Sequence, residues 1–166
     1  MAQKRNWLVI ILAIIGAIVV CLFVLAGAGA YMVARHITSK SSTATAAVKT
    51  FEDQRAQFNG QTPVIALDDL DSPEVVRKKL DALPTSTTPI SDLHVLVWSP
   101  DSQRTVDISL PMWILKMGKR KMDFGSNSGV DFERYRIDIT DIERIGPHLL
   151  VDLEKPGGER VLVWTK

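Results

Sequence analysis

Cysteine is almost missing from this chain. The single one, Cys21, sits inside an apolar stretch, so the rest of the sequence has no disulfide framework and no thiolate for metal binding or catalysis. His94 and His148 stand alone, without the clustered Cys, His or Glu that ligation requires. There is no G-x-S-x-G elbow, no H-E-x-x-H and no paired-cysteine motif. Asp68-Asp69-Leu70-Asp71 lacks the glycine and distal glutamate of a calcium loop. Gly157-Gly158 is followed by neither a helix start nor a Lys-Ser/Thr pair, so it reads as a turn and not a phosphate cradle. Nothing here calls for a metal or a cofactor, and no catalytic residue is assigned. The enzymatic alternative is a hydrolase assembled in space from His148 and acids of the Asp123 to Glu143 segment.

An excess of charge is missing too. Of 20 Lys and Arg only Lys4 and Arg5 precede the apolar stretch, which leaves 18 facing all 19 acids. That balance gives no electrostatic reason to expect a nucleic-acid partner.

What the chain does have is an uncharged run, Trp7 to Val33, whose uncharged flanks reach Asn6 and Ala34. Runs of about 18 or more such residues mark membrane-spanning helices. At 1.5 Å per residue this one would be about 40 Å long, enough to cross a hydrocarbon core of about 30 Å with tilt. The expectation is a lipid-embedded anchor over residues 7–34 behind a short basic tail, residues 1–6. Ala26-Gly27-Ala28-Gly29-Ala30 also offers A-x-A sites, so signal cleavage after Ala28 or Ala30, releasing a secreted domain, is the competing reading. Trp7 to Leu25 exceeds the 7–15 residues of a signal h-region, which favours an uncleaved anchor. Lys4 and Arg5 flank one side, and Arg35, Lys40 and Lys49 the other. Because short basic tails usually stay cytoplasmic, the expected location is a single-pass membrane protein with the domain outside the cytoplasm.

Residues 35–50 are rich in Ser, Thr and Ala and read as a linker or stalk. Residues 51–89 read as a helical and extended connecting segment. Ala44, Val48, Phe51, Arg55 and Phe58 follow helical spacing, Pro63 to Leu67 suits a short strand, and Asp71-Ser72-Pro73-Glu74 opens a helix burying Val76, Leu80 and Leu83. The main domain is expected over residues 90–166. Leu93, Val95 and Val97 share one strand face, with His94, Leu96 and Trp98 on the other. Val106, Ile108 and Leu110 alternate across a turn at Ser99 to Ser102 to complete a hairpin. Phe132 to Ile139 suits a strand, Thr140 to Glu143 matches a capping box, and Leu149 to Leu153 with Val161 to Trp164 form a second hairpin. The expected fold is α+β: an N-terminal transmembrane helix, then a small antiparallel sheet of two hairpins with helices packed on one face.

Two motifs go further. Val106-Asp107-Ile108-Ser109-Leu110-Pro111 runs straight into an apolar helix, and Gly158-Glu159-Arg160-Val161-Leu162-Val163-Trp164 closes the chain. Through them residues 93–164 resemble a small C-terminal module of bacterial envelope-associated proteins, some with adhesin-like β-repeat regions. The chain departs in its polar Asp123 to Arg136 insertion and its N-terminal half. The resemblance implies fold and envelope location, and it carries no catalytic residue.

The candidate contact residues lie in Pro111 to Met122. Trp113 sits among apolar residues, with Lys116, Lys119, Arg120 and Lys121 following. Such a pattern suits contact with a membrane surface or an envelope protein partner. The favoured reading is a core helix whose last turn of cations complements the helix dipole, because a strand-then-helix unit must bury that apolar face. The functional expectation is a non-catalytic, membrane-anchored interaction protein of the bacterial envelope.

Overall fold

A computed structural model of the chain describes residues 37–117 and 132–166. The apolar run 7–33 and Lys119, Arg120 and Lys121 lie outside the described residues. Among the described residues no helix is long and apolar enough to cross a membrane.

Residues 37–166 form one unit around a six-stranded sheet. Its elements in chain order are β1 (Ile37–Ser41), α1 (Ala44–Arg55), β2 (Ile65–Ala66), α2 (Pro73–Ala82), β3 (Asp92–Ser99), β4 (Arg104–Pro111), α3 (Met112–Met117), α4 (Ile139–Ile145), β5 (Leu149–Glu154) and β6 (Arg160–Thr165). The strand order is β1-β4-β3-β6-β5-β2. The expected hairpins β3–β4 and β5–β6 are both present and meet through antiparallel β3 and β6, with Val95 opposite Val163. The fold is therefore α+β, with four helices among the described residues, but it differs from the expectation in three respects.

First, the sheet is mixed. β2 pairs parallel to β5, with Ile65 opposite Val151. Second, the sheet begins at Ile37, inside the stretch read as a stalk. β1 pairs antiparallel to β4, Ile37 opposite Ile108 and Ser41 opposite Arg104. Every residue of β1 is exposed, as its polar sequence ITSKS dictates, and Lys40 is the kind of charge that protects an edge strand from unwanted pairing. Third, helices cover both faces. One face packs Leu93, Val95, Val161 and Val163 against Val76 and Leu80 of α2, Met112 of α3 and Ile142 and Ile145 of α4. The other packs Leu96, Trp98, Leu149, Leu162 and Trp164 against Ala47 and Phe51 of α1, with Phe58 at its border. β3 and β6 carry apolar side chains at both parities, and such strands are buried on both sides.

Local chemistry explains the remaining boundaries. The Thr43 hydroxyl accepts from Ala46 N and caps α1. The chain turns at Gly60 with φ of +87°. Pro73 opens α2 at its first turn, with Val76 and Leu80 buried as expected. The stretch from Phe132 is not a strand but a tight turn, with Ile137 N donating to Phe132 O, which inserts Phe132, Tyr135 and Ile137 into the core. The capping box lies two residues earlier than expected. Asp138 accepts from Asp141 N at 2.8 Å, and Asp141 accepts in return from Asp138 N at 3.3 Å. Gly146 ends α4 with φ of +72°, where a Cβ would lie 2.4 Å from Ser86 Cβ, so only glycine fits.

The second core has a direct consequence. A fragment beginning at Ile37 should unfold cooperatively in urea. One beginning at Ile90, which lacks α1, uncovers Leu96, Trp98, Leu149, Leu162 and Trp164; it should bind an apolar dye and show no cooperative transition by circular dichroism.

Candidate functional site

The residues singled out from the sequence divide on α3. Met112 is buried and Leu115 packs against the core, so one side of this helix does what a core helix must. Trp113 and Met117, four residues apart and hence on one stripe, stay 48% and 71% exposed. Lys116 forms an ion pair with Glu143 of α4, which fastens the helix to its neighbour. One side of these two turns thus belongs to the core, and the opposite side leaves Trp113 and Met117 exposed.

A second site was not anticipated. An open cleft of about 950 Å³ lies between the first turns of α2 and the turn at 134–136, lined by residues that include Ser72, Glu74, Arg77, Lys78 and Arg136. Arg77 organises it. Its guanidinium grips Asp141 with two hydrogen bonds, 2.6 and 3.1 Å, donates to Arg136 O at 2.8 Å and reaches Asp81 Oδ2 at 3.2 Å. The bond to Asp141, then that to Asp81, raises the Arg77 pKa above its ordinary value. Tyr135 is buried and donates to Leu70 O at 3.0 Å, tying the turn to the approach of α2. Arg134 lies over the Tyr135 ring at 5.9 Å and reaches Asp71 at 3.4 Å. Arg136 adopts a φ of +54°, a left-handed conformation that non-glycine residues seldom take. Such conformations persist where surrounding contacts hold them, and the Arg77 bond to its carbonyl is one such contact. Glu74, Lys78 and Arg136 have no ion pair among the described residues, so the cleft presents charges of both signs.

The remaining candidates have structural duties. Asp69 is buried, accepting from Ala66 N at 2.9 Å and from Lys79 Nζ at 2.6 Å. It therefore stabilises the entry to α2. His148 does not line the cleft. Burial lowers its pKa, a hydrogen bond with the Thr62 backbone opposes this, and its Nε2 is buried without a hydrogen-bond partner. Asp138 caps α4, Asp141 holds Arg77 and Glu143 pairs with Lys116, so these acids do not gather around His148. His94 stacks on Trp164 with ring centroids 5.1 Å apart and planes within 7°. Its pKa is likewise lowered by burial, against the pull of Asp107 and Asp92. Among the described residues no group of three or more His, Cys, Asp and Glu is placed to hold a metal ion.

Two measurements test this account. Replacing Arg77 by Lys keeps the charge and loses the fork. The guanidinium is about a third exposed. Solvent screening therefore limits the expected cost to about 1 kcal/mol. The expected shift in thermal midpoint is a drop of about 4 °C. An unchanged midpoint would remove Arg77 as organiser of the cleft. For the histidines, a depressed pKa means that the unfolded chain takes up protons near 6.5 while the folded chain does not. Their contribution to stability is therefore complete above about pH 6.5 and declines as pH falls toward the folded values. An NMR titration of the imidazoles should give midpoints below 6.5 for both His94 and His148, and the melting temperature should fall from pH 7 to 5.

No protein-family model, characterised protein or solved structure matches this chain.

Proposed function

We propose that this is a single-pass membrane-anchored, non-catalytic interaction protein of the bacterial cell envelope. Residues 7–34 serve as the anchor, and residues 37–166 form a binding domain held outside the cytoplasm. The observation that carries the reading is one of sequence continuity. The uncharged run ends at Ala34, and the chain enters the sheet at Ile37 with only Arg35 and His36 between. The resemblance of residues 93–164 to an envelope-associated module supports the same location. The charged groups of the domain support binding over chemistry. Arg77, Asp141, Asp69 and Glu143 are engaged in ion pairs that hold elements together, and Glu74, Lys78 and Arg136 line an open cleft suited to a polar partner group.

The test is protease digestion of a tag placed after Lys166 in intact spheroplasts, with the mass of the chain read in parallel. Loss of the tag from a chain of full-length mass is the expected result. A protected tag would reverse the orientation. A mature chain starting at Gly29 or Tyr31 would replace the anchored protein by a secreted domain.

A further inference from the structure

Antiparallel pairing fixes what lies at each end of the sheet. Ile37, the first residue of β1, is opposite Ile108 near the end of β4, and β4 passes directly through Pro111 into α3. The start of β1 and the helix α3 therefore occupy the same end of the sheet. The β3–β4 turn, including Ser102, lies at the other. That turn is about 25 Å away, eight residues of β4 at about 3.3 Å each. Of the five exposed large apolar side chains among the described residues, Ile37, Trp113 and Met117, at 42%, 48% and 71% exposure, belong to the first end, while Leu67 and Val75 lie just before and within the first turn of α2.

We infer that this end of the domain rests on the bilayer, with Trp113 and Met117 inserted at headgroup level beside Ile37. The inference depends on the anchored reading above and adds what the domain touches and with which residues. Three steps from Ala34 to Ile37 span at most about 11 Å. An anchor ending at Ala34 would thus hold the start of β1 within about 11 Å of the lipid, with no stalk to lift it. Interfacial segments bury their apolar side about 5–10 Å into the headgroup region, and tryptophan favours that depth. A lipid surface also suits the patch better than a protein does. Three side chains beside an exposed edge strand make no groove, and the clefts described open elsewhere, at 71–81 with 134–136 and at 41–43 with 102–103. A stable protein contact needs roughly 1,200 Å² or more of fitted surface. Lys116 is already paired with Glu143, so the contact is chiefly apolar and should withstand salt.

The experiment uses the full chain with Cys21→Ala and one new cysteine, Met117→Cys or Ser102→Cys, carrying an environment-sensitive fluorophore. The protein is reconstituted in phosphatidylethanolamine–phosphatidylglycerol vesicles containing lipids brominated high on the acyl chain. Quenching at position 117 should exceed that at 102 by at least about twofold, persist in high salt, and disappear with Trp113→Asp. Equal quenching at both positions in protein that still floats with the vesicles would overturn the docking and leave the anchor standing. Failure to float would overturn the anchor, and the docking with it.

Discussion

The structure depends on a central strand pair that is apolar on both sides. β3 and β6 run antiparallel through the middle of the sheet, and successive side chains alternate between its faces. Leu93, Val95, Val161 and Val163 face one way, and Leu96, Trp98, Leu162 and Trp164 face the other. Neither side can be left to water. Burying one large apolar side chain is worth about 1.5–3 kcal/mol, so leaving either set exposed would erase a net stability of the usual 5–15 kcal/mol. The rest of the architecture follows. Three helices supply one cover, and α1, reached across the edge strand β1, supplies the other. Residues 37–89 are thus part of the fold, not a lead-in to it.

Much of this was legible from local pattern. The two hairpins announced themselves through alternation and turn residues, and α2 through Ser72-Pro73 followed by Val76 and Leu80 at helical spacing. The second cover had a signal as well: Leu93 to Trp98 and Val161 to Trp164 are nearly continuous apolar runs, the mark of strands buried on both faces. A sheet with helices on one face alone leaves that signal without a cause. β1 had none. ITSKS is polar because an edge strand is exposed, and its partner Arg104 to Ile108 lies far along the chain, so its pairing is a tertiary fact. β2 is only two residues long. At 132–137 the alternation was spent on a tight turn, whose buried Tyr135 and Ile137 mimic one face of a strand while the equally buried Phe132 has the opposite parity.

The cleft was illegible for a related reason. Arg77, Arg136 and Asp141 are ordinary surface residue types, and only folding brings Arg77 of α2 to the turn and to the start of α4. Its geometry was invisible in a chain with a nearly balanced charge. The same holds on α3, where helical spacing fixed which residues share a stripe but not which stripe meets the core. Met112 and Leu115 won that place, leaving Trp113 and Met117 outside. A pattern with apolar residues all round a short helix permits more than one phase, and the neighbouring strands choose between them.

The position of β6 has a consequence for how the chain comes into being. This strand lies between β3 and β5, yet it is the last one synthesised. Once Ser99 has been added, the ribosome still needs roughly 3–12 s to reach Arg160 at about 5–20 residues per second. Through that interval the β3–β4 hairpin has a free edge along Leu93 to Trp98, with apolar side chains on both of its faces. A nascent chain in that condition is a substrate for holding chaperones, and the interval is when premature pairing with a neighbouring chain competes with the native partner.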